Sequence, residues 1–157
     1  MDLHTVMPVQ TAAIDDAAPP QYFDPETVVS RDAQGNPVSR YGDPSWDYSS
    51  QSTDGSSAAS VYFFDAVATA DPRLAAVIRE QHKALMWQHI DAGKMGSLRT
   101  VMTANHAARR WADTAYARGV PLFELLSRPE WVAEHCASLT RTYLKVTPAL
   151  IQTLWRH

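Results

Sequence analysis

Residues 96–127 read GSLRTVMTANHAARRWADTAYARGVPLFELLS. Ser97 is a good N-cap, because its side-chain oxygen can accept one of the orphan amide protons of a first helical turn. Gly119 sits where a helix ends in the left-handed region that glycine enters at no steric cost. Between the two, Leu98, Val101, Ala108, Trp111, Ala112 and Ala115 form a candidate core face at helical spacing. Arg99, Arg109, Arg110 and Arg118 fall among them, with Asp113 as the opposing charge. Val120-Pro121 then leads into Leu122 to Leu126, one short apolar turn or helix.

Beyond this stretch, the chain toward the C-terminus stays helical. Ser127 with Glu130 three residues on resembles a capping box, with Pro129 in the first turn. Trp131, Val132, His135, Cys136, Leu139 and Tyr143 make an amphipathic face, and Trp131 and Leu139 are expected in the core with Trp111. Thr147-Pro148 opens a further helix whose apolar stripe reaches His157 without a stop signal. That predicts a natural chain that continues, or a truncated domain.

Toward the N-terminus, Asp71 caps a helix with Pro72 at its first position. Leu74, Val77, Ile78, Gln81 and Leu85 line one stripe of it, and Gly93 ends it. Val61 to Phe64 is a short apolar plug, either a strand or a docking segment, since four residues carry no decisive period. Residues 49–60 are Ser-rich and read as a flexible linker. Two β-prone runs, Val28-Val29 and Val38 to Tyr41, flank a Gly35-Asn36 turn and predict a hairpin, with Pro37 holding the second run to an edge or delaying its start. Tyr41, Trp46 and Tyr48 either pack this hairpin onto the helices or stack on a ligand, packing being the preferred role. Residues 1–21 are poor in large apolar side chains and are expected to be a disordered lead-in. The expected organisation is therefore a lead-in over 1–21, an accessory segment with a β-hairpin and linker over 22–64, and a mainly α helical bundle over 72–157.

Composition narrows the function classes. The chain has 157 residues, 45% hydrophobic, with a formal net charge of −3. Residues 1–71 hold two basic and eleven acidic residues, a net of −9; residues 72–157 hold twelve basic and six acidic, a net of +6. Such asymmetry fits a C-terminal half that faces a polyanion, or an ordinary solvated helix surface. One cysteine, Cys136, excludes an internal disulfide framework and a cysteine-based zinc finger, and its apolar stripe makes it a buried structural residue. No apolar run approaches membrane-spanning length, and the N-terminus does not read as a secretory signal, so a cytoplasmic compartment is expected.

No catalytic constellation, metal set or cofactor fingerprint is legible. His82 and His89 stand two helical turns apart, wider than a helical zinc pair, and read as surface or boundary residues. What remains is basic charge on helices. Lys94, Arg99, Arg109, Arg110, Arg141 and Lys145 are candidate phosphate contacts, and Ser97 and Thr100 would add hydroxyl and amide donors at a helix start. The plain alternative is that the arginines are solvated and Ser97 is only a cap.

The order Ser97-Leu98-Arg99-Thr100-Val101, Ala108-Arg109-Arg110-Trp111-Ala112 and Arg118-Gly119-Val120 resembles the N-terminal core-binding domain of tyrosine recombinases, the phage-integrase family. Leu122 to Leu126, Pro129 to Val132 and Leu139 fit its next helix. Residues 28–46, VVSRDAQGNPVSRYGDPSW, resemble an N-terminal extension of some integrases of bacterial mobile elements. The family often has an aromatic four residues after the threonine, where this chain has Ala104. The resemblance implies a SAM-like helical bundle that is one arm of a clamp around double-stranded DNA, and a homo-oligomer assembled on DNA in the full-length protein. It implies no cofactor, and it leaves the nucleophilic tyrosine, the arginine, the lysine and the His-x-x-Arg group to a following catalytic domain; no tyrosine of this chain lies in a matching context. Two other readings stay open: a helical protein-interaction module, and a small stand-alone DNA-binding regulator of a mobile element.

Overall fold

The computed structural model describes residues 18–52, 59–65, 70–93, 97–139 and 148. Among the described residues, four short strands precede four helices: β1 (Val28–Arg31), β2 (Pro37–Arg40), β3 (Ser45–Asp47), β4 (Ser60–Tyr62), α1 (Pro72–Asp91), α2 (Leu98–Arg118), α3 (Leu122–Ser127) and α4 (Pro129–Ser138). The result is a largely helical fold carrying two antiparallel strand pairs, β1–β2 and β3–β4. The expected helix from Thr147, save position 148, and the first 17 residues of the lead-in lie outside the described residues.

The first hairpin forms where its turn chemistry demands. Asp32 Oδ1 accepts the amides of Gln34 and Asn36 at 2.9 and 2.8 Å, and Gly35 takes φ 87°. These bonds to Asn36 hold the Asp32 carboxyl below its ordinary range. Pro37 opens β2, where a missing amide breaks no inner ladder bond. Val61 is a strand residue: it pairs with Trp46 in β3–β4. The expected Ser-rich linker is structured at both ends, with a 3-10 turn over Ser49–Gln51 and β4 beginning at Ser60; positions 53–58 lie outside the described residues.

Capping sets the helix ends. Asp71 accepts the Leu74 amide at 3.1 Å, and Pro72 occupies the first turn. Ser97 accepts the Thr100 amide at 3.3 Å, and Gly119 closes α2 at φ 74°. The capping box expected at Ser127 does not form. Ser127 is the last residue of α3, and its hydroxyl donates to the Glu124 carbonyl at 2.7 Å. Arg128 is the N-cap of α4, which starts at Pro129 without a side-chain cap.

One hydrophobic cluster runs from Tyr22 through Trp46, Val61 and Phe63 to α1, α2 and α3. Helices α1 and α2 are its central pair, and α3 packs on both. Trp46 is fully buried, with ring centroids 4.6 Å from Phe63, 5.6 Å from Tyr41 and 6.2 Å from Trp87. The aromatics of residues 41–48 thus pack the strands onto α1. Trp111 is core as expected, but Trp131 is only partly buried. Its ring instead lies under two guanidinium groups, Arg118 at 4.8 Å and Arg128 at 4.6 Å.

Candidate nucleic-acid interface

Helix α2 divides cleanly by side. Val101, Ala104, Asn105, Ala107, Ala108, Trp111, Ala112 and Ala115 face the core. The opposite side exposes Arg99, His106, Arg110, Asp113 and Ala117, with Arg109 on its flank. At a rise of ~1.5 Å per residue, Arg99 and Arg110 stand about 16 Å apart along this side. Small core-facing residues, four of them alanines between 104 and 112, let α2 pack closely, so its long cationic side chains are left for the solvent side.

The charge on that side is mostly one sign. Asp113 lies one turn beyond Arg109 and Arg110; though it is solvent-facing, partial desolvation of its carboxyl raises it above the ordinary range, and the two guanidinium groups oppose that shift. Arg118 is committed elsewhere: it donates to the Glu134 carboxylate and stacks on Trp131, tying α2 to α4. Ser97 and Thr100 are engaged at the helix start, with their hydroxyls 3.0 Å apart and the Thr100 amide bonded to Ser97. Both are first of all the cap of α2. Of the sequence candidates, Ser97, Arg99, Thr100, Arg109 and Arg110 share this helix; Lys94, Arg141 and Lys145 lie outside the described residues.

Sequence reasoning missed the buried polar groups of α1. His82 is fully buried rather than a boundary residue, and His89 is buried too. The Phe64 amide donates to His82 Nδ1 at 3.1 Å, which places the ring proton on Nε2, 2.9 Å from Asn105 Oδ1. Asn105 Nδ2 in turn donates to the Tyr62 carbonyl at 2.9 Å. This chain joins β4, α1 and α2. Burial pushes the imidazole down to about 3, an effect the Asn105 hydrogen bond opposes. Gln81 plays a parallel role: its Oε1 accepts the Phe123 amide at 3.0 Å, and its Nε2 donates to the Tyr22 hydroxyl at 3.2 Å. Gln81 interrupting an otherwise apolar stripe was the available signal, since a polar residue on a core face must have a partner.

Among the described residues, no group of three or more His, Cys, Asp or Glu side chains is placed to hold a metal ion, and no helix is long and apolar enough to cross a membrane. Comparison with protein-family models, curated proteins and solved structures finds no match for this chain.

Proposed function

We propose that this chain is the DNA-holding N-terminal part of a site-specific tyrosine recombinase, with its helices forming a SAM-like core-binding bundle that grips duplex DNA for a catalytic domain. The observation that carries the reading is the solvent-facing side of α2, where Arg99, Arg109 and Arg110 are exposed on one rigid helix and Asp113 is the acidic residue among them. Guanidinium groups on such a support neutralise phosphates and displace condensed counterions, which gives binding without base preference. The cap at Ser97 leaves the positive end of the α2 dipole next to Arg99, adding to the same field. The resemblance of residues 97–120 to the core-binding domain supplies the recombinase part of the reading.

The test is fluorescence anisotropy of a labelled ~20-base-pair duplex, a length that spans about two turns of DNA, titrated with the full chain at low salt. Wild type binds; Arg99→Glu/Arg109→Glu binds at least tenfold more weakly while keeping its helical circular dichroism. Equal binding by the double variant rejects the α2 interface. A folded wild type that does not bind at low salt rejects the DNA reading altogether, and the helices are then a protein-interaction scaffold.

A further inference from the structure

A cavity of about 320 Å³ lies between the loop before β1 and helix α1, with no lining residue from α2. Its deepest lining residues are Tyr41 and Lys83, each 2% exposed; Pro20, Phe23 and Pro25 give it apolar walls, and Glu80 stands one helical turn before Lys83. The volume is at the small end of the ~300–1,000 Å³ typical of small-molecule sites.

The backbone beside the cavity is tied together before anything enters it. The Gly42 amide donates to the Pro25 carbonyl at 2.8 Å, and the Tyr41 amide donates to the Thr27 carbonyl at 2.7 Å. A Cβ at Gly42 would lie 2.9 Å from Pro25 Cβ, so glycine is what lets these two strips close. Phe23 and Tyr41 rings pack at 5.3 Å.

Its polar groups, by contrast, are incompletely served. The Tyr41 hydroxyl is buried with no hydrogen-bond partner among the described residues. Lys83 Nζ donates to the Asp43 carbonyl at 3.2 Å and lies over the Tyr41 and Phe63 rings, at 5.1 and 5.6 Å. One carbonyl uses one of the three ammonium donors. A buried ammonium and a buried hydroxyl left in this state are costly, and an anionic acceptor between them would relieve both. Glu80, half-buried, supplies the opposite charge within the same cavity.

We propose that this cavity binds a small amphoteric molecule of the α-amino-acid class with an apolar side chain. The ligand carboxylate accepts from Lys83 Nζ and the Tyr41 hydroxyl. Its ammonium group faces the Glu80 carboxylate, and its side chain rests on Pro20, Phe23 and Pro25. Every polar group named in the lining is then matched by one ligand, with the cavity's net charge kept at zero.

The probes are L-phenylalanine and 3-phenylpropionate, which keeps the ring and the carboxylate but lacks the ammonium group. Each is titrated into the full chain and followed by calorimetry and by amide chemical shifts at Tyr41, Gly42 and Lys83. The expected result is saturable binding of L-phenylalanine at least tenfold tighter than of 3-phenylpropionate. Tyr41→Phe removes only the unpartnered hydroxyl, so it keeps or raises Tm while weakening L-phenylalanine binding about tenfold. Glu80→Gln abolishes the preference for the amino acid over the acid. Absence of saturable binding at millimolar L-phenylalanine and L-leucine overturns the proposal. So does equal affinity for 3-phenylpropionate, or full affinity in Tyr41→Phe.

Discussion

His82 shows how much can rest on one side chain. It is neutral because it is buried, and it is tolerated there because the Phe64 amide and the Asn105 side chain occupy both ring nitrogens. The folded-state value of about 3 lies below the ordinary 6.5, so the unfolded chain binds the proton first as pH falls. The part of the stability that depends on a neutral His82 is therefore present in full above pH 6.5 and is lost progressively between 6.5 and about 3. At ~1.36 kcal/mol per pH unit, full titration amounts to about 5 kcal/mol. Burial shifts His135 in the same direction. Urea midpoints measured from pH 7 to pH 4 should fall steadily for wild type. His82→Gln, which can still accept from Phe64 and donate to Asn105 without titrating, should flatten that fall. An equal fall in the variant would place the acid sensitivity elsewhere.

Ser97 separates capping from phosphate binding at the same scale. Ser97→Ala should cost about 1 kcal/mol in chemical denaturation, since the Thr100 amide loses its acceptor. Ser97→Asp keeps an acceptor and suits the helix dipole, so stability should hold. The added negative charge beside Arg99 should nonetheless weaken DNA binding severalfold. Undiminished binding by Ser97→Asp would mean that the start of α2 is not near a phosphate.

At the scale of elements, the ends of α1 and α2 were legible in the sequence because each is written in a residue with one conformational role: Asp71 and Ser97 as acceptors, Gly93 and Gly119 with φ of 68° and 74°. The first hairpin was legible for the same reason, through Asp32, Gly35 and Asn36. The boundary between α3 and α4 was not. Ser127 and Glu130 have the spacing of a capping box, but α3 claims Ser127 first, through the Glu124 carbonyl. A local pattern cannot reveal that the preceding helix already uses its residue. Trp131 was misplaced for a related reason. Its helical spacing fits a core position, whereas its surroundings are Arg118 and Arg128, contributed from 13 residues before and 3 before it. Trp131→Ala should thus cost less than the ~3–5 kcal/mol of a fully buried aromatic, and Trp111→Ala should cost the full amount; paired denaturation curves of the two variants check this ordering.

For the molecule as a whole, the strands and the helices share one core. Trp46 packs against Trp87 of α1, Phe63 packs against His82, and Tyr22 packs against Phe123 of α3. These long-range contacts carry no periodic signature, so the sequence showed dense aromatics over 41–48 without showing what they cover. A fragment of residues 72–157 alone exposes Trp87, Phe123 and the His82 ring, and should fail to unfold cooperatively in urea. A sharp two-state transition in that fragment would show that the helices need no cover. The candidate interface was legible only as far as α2 itself: the spacing of Arg99, Arg109 and Arg110 was there to read, but the commitment of Arg118 to Glu134 depended on where α4 packs.

If the exposed arginines of α2 hold duplex DNA, binding by the full chain must depend steeply on salt. With Arg99, Arg109 and Arg110 each neutralising a phosphate, the logarithm of the association constant should fall against the logarithm of salt with a slope of about −2.7 or steeper. Each arginine replaced by glutamine should make that slope shallower by about 0.9, with little dependence on DNA sequence. A slope near zero, or a steep one that the glutamine variants leave unchanged, would mean that these arginines do not hold DNA.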